Sequence, residues 1–279
     1  MMWKPVALLL GCTMAAVGVA MPGASAQETD GTRIVIAGDS TASPYPVERQ
    51  PQAGWGQALQ YFLGDIAVEN RAVSGRSTRS YVDEGKWAAL LEALQPGDIV
   101  LISFGHNDQR DDAPERYAEA NTDYRAYLKQ FVADVRARDA RPVIVSSAAR
   151  RLWEGPAMVE THGLYRWNAQ KAAEKTGAAY IDLATLSLAY FETIGREETK
   201  EDFLWLTPED RNERHPDGVE DNTHFTALGA CGVAMVVTLA LAEEGIISVE
   251  TPSADVPADA LRPQAVTDCA GAFSWAQPG

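Results

Sequence analysis

The sequence predicts an α/β fold: a doubly wound, flavodoxin-like sandwich around a mostly parallel five-stranded sheet. Two observations predict it. Short apolar runs rich in Val and Ile recur at intervals of tens of residues, and stretches with helical apolar spacing lie between them. Strands that alternate with helices imply right-handed crossovers and a parallel sheet. In such sheets ligands bind outside the carboxyl ends of the strands, so residues just after each strand carry the functional argument.

The first run, Arg33-Ile34-Val35-Ile36-Ala37, stops at Gly38 and reads as a buried strand. Further strands are expected at residues 66–70, 98–103, 142–146 and 179–182. Helical patterns cover residues 55–62, 86–94, 124–138, 165–175 and 227–241. In the third of these, Tyr124, Tyr127, Leu128, Phe131, Val132 and Val135 fall on one face. Residues 196–223 are polar without a clear period and read as a long loop. Residues 249–279, rich in Ala, Pro and Asp, read as an irregular tail. With 46% apolar and 23% charged residues in 279, one folded body over residues 27–248 is expected.

The first 26 residues read as a signal peptide: Met-Met-Trp-Lys, an apolar run to Met21, then Pro22-Gly23-Ala24-Ser25-Ala26, a small-residue ending. A spanning helix fits less well, because Gly11, Cys12, Gly18 and Pro22 interrupt a run shorter than the roughly 20 residues a bilayer needs. Leu9-Leu10-Gly11-Cys12 offers a second reading, a lipoprotein site that leaves Cys12 lipidated. Either way the protein is expected to be exported, periplasmic or extracellular, with no stable membrane association unless Cys12 is lipidated. The net charge of −15 argues against nucleic acid as a partner. Of the three cysteines, Cys12 leaves with the signal, and Cys231 and Cys269 remain in an oxidising compartment. They form one disulfide, closing a loop of roughly 39 residues, or stay two unpaired structural thiols.

Ser40 follows the first strand directly, in Gly38-Asp39-Ser40-Thr41. Alone, a serine there is as well explained as a turn or helix cap. A serine nucleophile needs a base and a group to orient that base. Among four histidines, Asp221-Asn222-Thr223-His224 places an acid three residues before an imidazole, although Asp221 or Thr223 could equally cap a helix. An acyl-transfer site also needs donors for the oxyanion. Gly75 in Val73-Ser74-Gly75-Arg76 can supply a backbone N–H, and Asn107 in Gly105-His106-Asn107-Asp108 an amide; Ser77 or Thr78 could instead make the first of these loops a helix start.

In order and type these four pieces resemble the SGNH, or GDSL-like, hydrolase superfamily: Gly-Asp-Ser, an oxyanion Gly, Gly-x-Asn-Asp and Asp-x-x-His. The flanking words Gly75-Arg76-Ser77-Thr78-Arg79-Ser80-Tyr81, Gly105-His106-Asn107-Asp108 and Asp221-Asn222-Thr223-His224-Phe225 are similar to those of rhamnogalacturonan acetylesterases. The resemblance implies the SGNH hydrolase fold and a carboxylic ester hydrolase with Ser40, His224 and Asp221 as catalytic residues. Its oxyanion hole would be formed by Ser40, Gly75 and Asn107, and its substrate would be an acetylated polysaccharide or oligosaccharide of the plant cell wall, above all the rhamnogalacturonan of pectin. Acetylated xylan or another glycan is the nearest alternative, then a lysophospholipase or lipase. A carbohydrate-binding protein without chemistry is the remote one.

Four residues remain open. Arg76 and Arg79 either meet the carboxylate of a galacturonate substrate or pair within the fold. His106 and His162 either face the substrate cleft or support its wall. No Gly-x-Ser-x-Gly elbow occurs, and neither His-Glu-x-x-His nor paired cysteine knuckles are present. No cofactor and no metal are expected.

Overall fold

The computed structural model describes residues 32–250, 252–255 and 260–275. The signal peptide and Cys12 lie outside them. In chain order the strands are β1 (Arg33–Gly38), β2 (Gln52–Ala53), β3 (Ala67–Asn70), β4 (Ile99–Ser103), β5 (Arg141–Val145), β6 (Trp153–Glu154), β7 (Ala157–Met158), β8 (Ala179–Ile181), β9 (Phe203–Leu206) and β10 (Val219–Thr226). The helices are α1 (Trp55–Ala58), which continues as a 3-10 turn to Phe62, α2 (Thr78–Asp83), α3 (Lys86–Ala93), α4 (Arg125–Arg136), α5 (Leu164–Thr176), α6 (Leu183–Ile194), α7 (Ala227–Glu243) and α8 (Gln264–Gly271).

Five strands form the central sheet in the order β3-β1-β4-β5-β8, every neighbouring pair parallel. Counted within the sheet this is the order 2-1-3-4-5 of flavodoxin-like folds, with its switch point beside β1. The expected strands and order class are therefore present, and the sheet is wholly parallel. Both faces are covered, which is why its strands read as continuous apolar runs and not as alternations. Alternate residues serve opposite layers. Ile34 and Ile36 enter the core under α1, α6 and α7 with Trp55, Phe191 and Val233, whereas Val35 and Ala37 enter the core under α3, α4 and α5 with Trp87, Phe131 and Ala172.

Two expectations need correction. Residues 196–223 are not one loop, because β9 and most of β10 lie there and pair antiparallel, with β2 on the other side of β10. The apolar run Phe203-Leu204-Trp205-Leu206 drives this: Phe203 packs on Phe225 at 5.1 Å between ring centroids and on Phe191 at 4.8 Å. The tail is not irregular throughout either. It contains α8, and its Arg262 donates to both oxygens of the buried Asp202 at 3.2 and 2.6 Å, just before β9.

Cys231 on α7 and Cys269 on α8 form a disulfide, so of the two readings pairing is the one realised. A link across 38 residues restricts the unfolded chain by about 4 kcal/mol in the loop-entropy model. Cys269→Ser should lower the urea-unfolding free energy by about that amount. Arg262→Met should lower it by about 3–5 kcal/mol, because it leaves Asp202 buried and unpaired.

Candidate active site

The site assembles at the carboxyl edge of the sheet from the segments that follow β1, β3, β4 and β5, together with β10. After β1 the chain turns sharply: Ala42 N and Ser43 N both donate to Asp39 O, at 3.2 and 3.1 Å. A side chain at Gly38 would press against Ser103 O at 3.0 Å. The buried Asp39 carboxylate accepts from Thr41 N and Thr41 Oγ1, each at 2.9 Å. Tyr45 Oη donates to Ser40 O at 2.8 Å, and burial pushes that phenol up to about 12, so it remains a donor. Ser40 is thus held from both its neighbours and its own carbonyl.

His224 reaches Ser40 across 184 residues of sequence, its Nε2 lying 2.9 Å from Ser40 Oγ. The register of β10 against β9 explains how. Glu220 pairs with Trp205 and Phe225 with Phe203, so the four residues Asp221 to His224 stand opposite a single residue, Leu204, and bulge from the ladder. Trp205 Nε1 and Arg151 N grip the bulge through Asn222, at 2.9 and 2.8 Å. Asp221 Oδ2 lies 2.7 Å from His224 Nδ1, while its Oδ1 accepts from Thr223 N and His224 N at 2.7 and 3.0 Å. Burial pushes the Asp221 carboxyl up, but these hydrogen bonds outweigh it and hold the group below the usual carboxylate range. An ionised Asp221 only accepts, so His224 Nδ1 carries the proton, Nε2 offers a lone pair, and Ser40 Oγ donates to it. The three side chains form one directed hydrogen-bond chain.

Gly75 sits in the turn Val73–Arg76, closed by Arg76 N donating to Val73 O at 3.2 Å. Its φ of +79° suits glycine at the third position of a type II turn. Ser77 caps α2 through a capping box with Ser80, so the helix-start reading of this segment also holds. Asn107 Nδ2 donates to Arg76 O at 3.1 Å, which aligns its amide with the Gly75 turn. Asp108 ties the two loops together by accepting from Thr78 N at 2.9 Å and from Thr78 Oγ1. Burial pushes the Asp108 carboxyl up to about 7. Ser40, Gly75, Asn107, Asp221 and His224 all line one cavity of about 380 Å³.

The remaining expected residues separate. Arg76 Nε donates to Glu84 at 2.9 Å, and Arg79 to Tyr117 O and Asp123 at 2.7 and 2.6 Å. Neither side chain lines the cavity, and each has a partner within the fold. His106 does line it; His162 is buried behind His106, ring against ring at 4.7 Å, and is a supporting residue. Glu160 Oε1 lies 3.2 Å from His162 Nδ1, and His162 Nε2 lies 3.3 Å from His106 Nδ1. Although partial burial opposes it, hydrogen bonds from His162 and Gly163 hold Glu160 down to about 2. Burial lowers His162 and, more strongly, His106. An ionised Glu160 therefore fixes both tautomers, and His106 Nε2 is left as a lone pair. That nitrogen is buried and has no partner among the described residues.

Three charged cavity residues escaped the sequence reading: Arg110, Arg116 and Arg150. The signal existed, since Arg110 follows β4 and Arg150 follows β5 at the carboxyl edge. Among the described residues, no aliphatic side chain and no Phe, Tyr or Trp lines the cavity.

A parallel sheet in this strand order, carrying a hydroxyl, an imidazole and a carboxylate in one chain at its switch point, defines an SGNH-type hydrolase. Residues 36–230 match the GDSL-like lipase/acylhydrolase family, and the chain belongs to it. It is 37% identical over 216 residues to the rhamnogalacturonan acetylesterase RhgT of Bacillus subtilis, covering 77% of this chain and 91% of that one. It is 30% identical over 235 residues to a rhamnogalacturonan acetylesterase of Emericella nidulans, covering 76% and 86%. The crystal structure of the YxiM protein of Bacillus subtilis superposes with a TM-score of 0.67 at 25% identity over 78% of this chain and 58% of that longer one. The protein is accordingly a carboxylic ester hydrolase.

Glu160 gives a pH signature. Its folded value lies below the ordinary 4.5, so its contribution to stability is present above that value and is lost as pH falls toward about 2. Urea titrations should show Glu160→Gln less stable than wild type at pH 7, with the gap closing between about pH 4.5 and 2.

Proposed function

We propose that the protein is an exported serine acetylesterase that removes acetyl groups from rhamnogalacturonan, with Ser40 as nucleophile, His224 as general base and acid, and Asp221 orienting the imidazole. The observation that carries this reading is the directed chain Ser40 Oγ to His224 Nε2 at 2.9 Å and His224 Nδ1 to Asp221 at 2.7 Å. Ser40 Oγ attacks the acetyl carbonyl carbon as its proton passes to His224 Nε2. The imidazolium that forms is stabilised by ionised Asp221. The oxyanion is received by the N–H groups of Ser40 and Gly75 and by the Asn107 amide. Collapse breaks the ester bond, and the departing sugar oxygen takes the proton back from His224. A water, deprotonated by the same nitrogen, then splits the acetyl-enzyme to acetate and restores Ser40.

The cavity wall supports a polar substrate with a short acyl group. Without aliphatic or large aromatic lining, a long acyl chain would find no surface on which to leave water, which disfavours the lipase and lysophospholipase readings. The likeness to RhgT and to the Emericella enzyme supports the pectin backbone over xylan.

Ser40→Ala should abolish hydrolysis of a chromogenic acetate ester with the thermal melt unchanged; retention of most of the activity would refute the nucleophile. Asn107→Ala should lower kcat by about 100-fold or more with KM nearly constant, since an oxyanion donor acts mainly in the transition state. Acetate release should be faster from acetylated rhamnogalacturonan than from acetylated xylan, and octanoate esters should be poor substrates.

A further inference from the structure

The cavity of this acidic chain is rich in cations. Arg110, Arg116 and Arg150 all line the space that holds Ser40 and His224, in a protein of net charge −15. They are not equivalent. Arg110 is already committed, its Nε and Nη2 donating to the two oxygens of Asp112 at 2.7 and 2.8 Å. Among the described residues Arg116 meets only the exposed Glu115, at 3.4 Å, a contact that water weakens. Its Nη1 lies 3.7 Å from the point a side chain on Gly75 would occupy, which puts this guanidinium beside the turn proposed to bind the oxyanion.

Arg150 has no carboxylate of the described residues within 4.0 Å. Its partners are neutral: Thr161 Oγ1 at 3.3 Å and the Gln109 side-chain oxygen, which, turned toward the guanidinium, accepts from both terminal nitrogens at 3.1 and 3.0 Å. The imidazoles next to it, His106 and His162, are pushed toward their neutral forms by burial and add no charge. Asp221, the carboxylate that lines the same cavity, is taken up by His224. Burial works against the Arg150 cation even though Asp39 and Glu160 favour its charge from beyond hydrogen-bond distance, so a carboxylate in direct contact would offset a cost that the fold leaves standing.

We propose that Arg150, with Arg116 beside it, forms a subsite for a substrate carboxylate, so that the enzyme selects acetyl esters carried on or next to a uronic-acid ring. The planar fork of N–H groups matches the two oxygens of a carboxylate, and a neutral sugar offers no equivalent partner. This inference rests on the acetylesterase reading above and adds to it the residues that read the charge. It also places that recognition after β5 and β4, not at Arg76 and Arg79.

The test compares acetate release from acetylated galacturonate-containing oligosaccharides with release from the same oligosaccharides after their carboxyl groups have been reduced to alcohols. Hydrogen bonds to a charged partner predict that wild-type kcat/KM falls roughly 10- to 100-fold on reduction. Arg150→Gln should treat the two forms alike to within about threefold, since the interaction is then already lost, as in a double-mutant cycle. Arg116→Gln should narrow the wild-type ratio several-fold, and it carries the test together with wild type if the Arg150 variant does not fold. Equal turnover of both forms by wild type overturns the subsite and leaves the acetylesterase reading standing. So does an Arg150→Gln enzyme with undiminished discrimination. Release from neutral acetylated xylan, with none from either galacturonate form, overturns both.

Discussion

The active site depends on how β10 closes against β9 and β2. Ser40 and His224 stand 184 residues apart in sequence, and nothing local brings them together. The antiparallel pairing does, because it is anchored by Phe225 against Phe203 and Ala53 and then yields for the four residues Asp221 to His224. A regular ladder would point successive side chains to opposite faces. The bulge instead lets the carboxylate and the imidazole, three residues apart, approach each other and Ser40. The C-terminal segment reinforces this arrangement. Arg262 clamps Asp202 at the foot of β9, and Asp202 O in turn accepts from Thr226 N at 2.9 Å, where β10 passes into α7. The tail thus holds the strand pair that carries His224.

Around that contact the parallel sheet does the rest by direction alone. Every strand of the central sheet points its carboxyl end to the same edge, so the segments after β1, β3, β4 and β5 all deliver residues to one cavity: Ser40, Gly75, Asn107 and Arg150. The hydrogen bonds between segments, Asn107 to Arg76 O and Thr78 to Asp108, fix them relative to one another before any substrate arrives. Preorganised donors of this kind need no rearrangement as charge develops, which is the condition under which they are most effective.

Much of this was legible in the sequence, for physical reasons that differ from element to element. The central strands announce themselves because burial on both faces demands unbroken apolar runs such as Ile34-Val35-Ile36. The words around Ser40, Gly75, Asn107 and His224 stood out because the roles proposed for them require fixed residue types beside those strands. What was not legible is long-range. Phe203 to Leu206 stands among acids and reads as strand only when Phe225 is known to lie opposite. Helix α6 went unpredicted because its pattern is blurred: Ser187 is buried and Leu186 exposed, against the division expected of an amphipathic helix. In the tail, Arg262 is placed by a partner far away in sequence, which no local pattern encodes, whereas the pairing of Cys269 with Cys231 could be read from cysteine count alone. Arg150 lacks a motif of its own; only its position after a strand distinguishes it from the other arginines.

Two imidazole relays that begin from carboxylates end at the cavity, one of a single ring and one of two. An imidazole that gives its proton to an acceptor on one side becomes an acceptor on the other, so each ring transmits polarity without inverting it. The terminal group of such a relay is therefore decided by the residue at its base and not by how many rings intervene. Asp221 dictates that Ser40 meets a lone pair, and Glu160, two rings away, dictates the same at His106. Evolution can accordingly lengthen or shorten a relay of this type, moving its tip across a cleft by the width of a ring, while the hydrogen-bonding sense presented there stays constant.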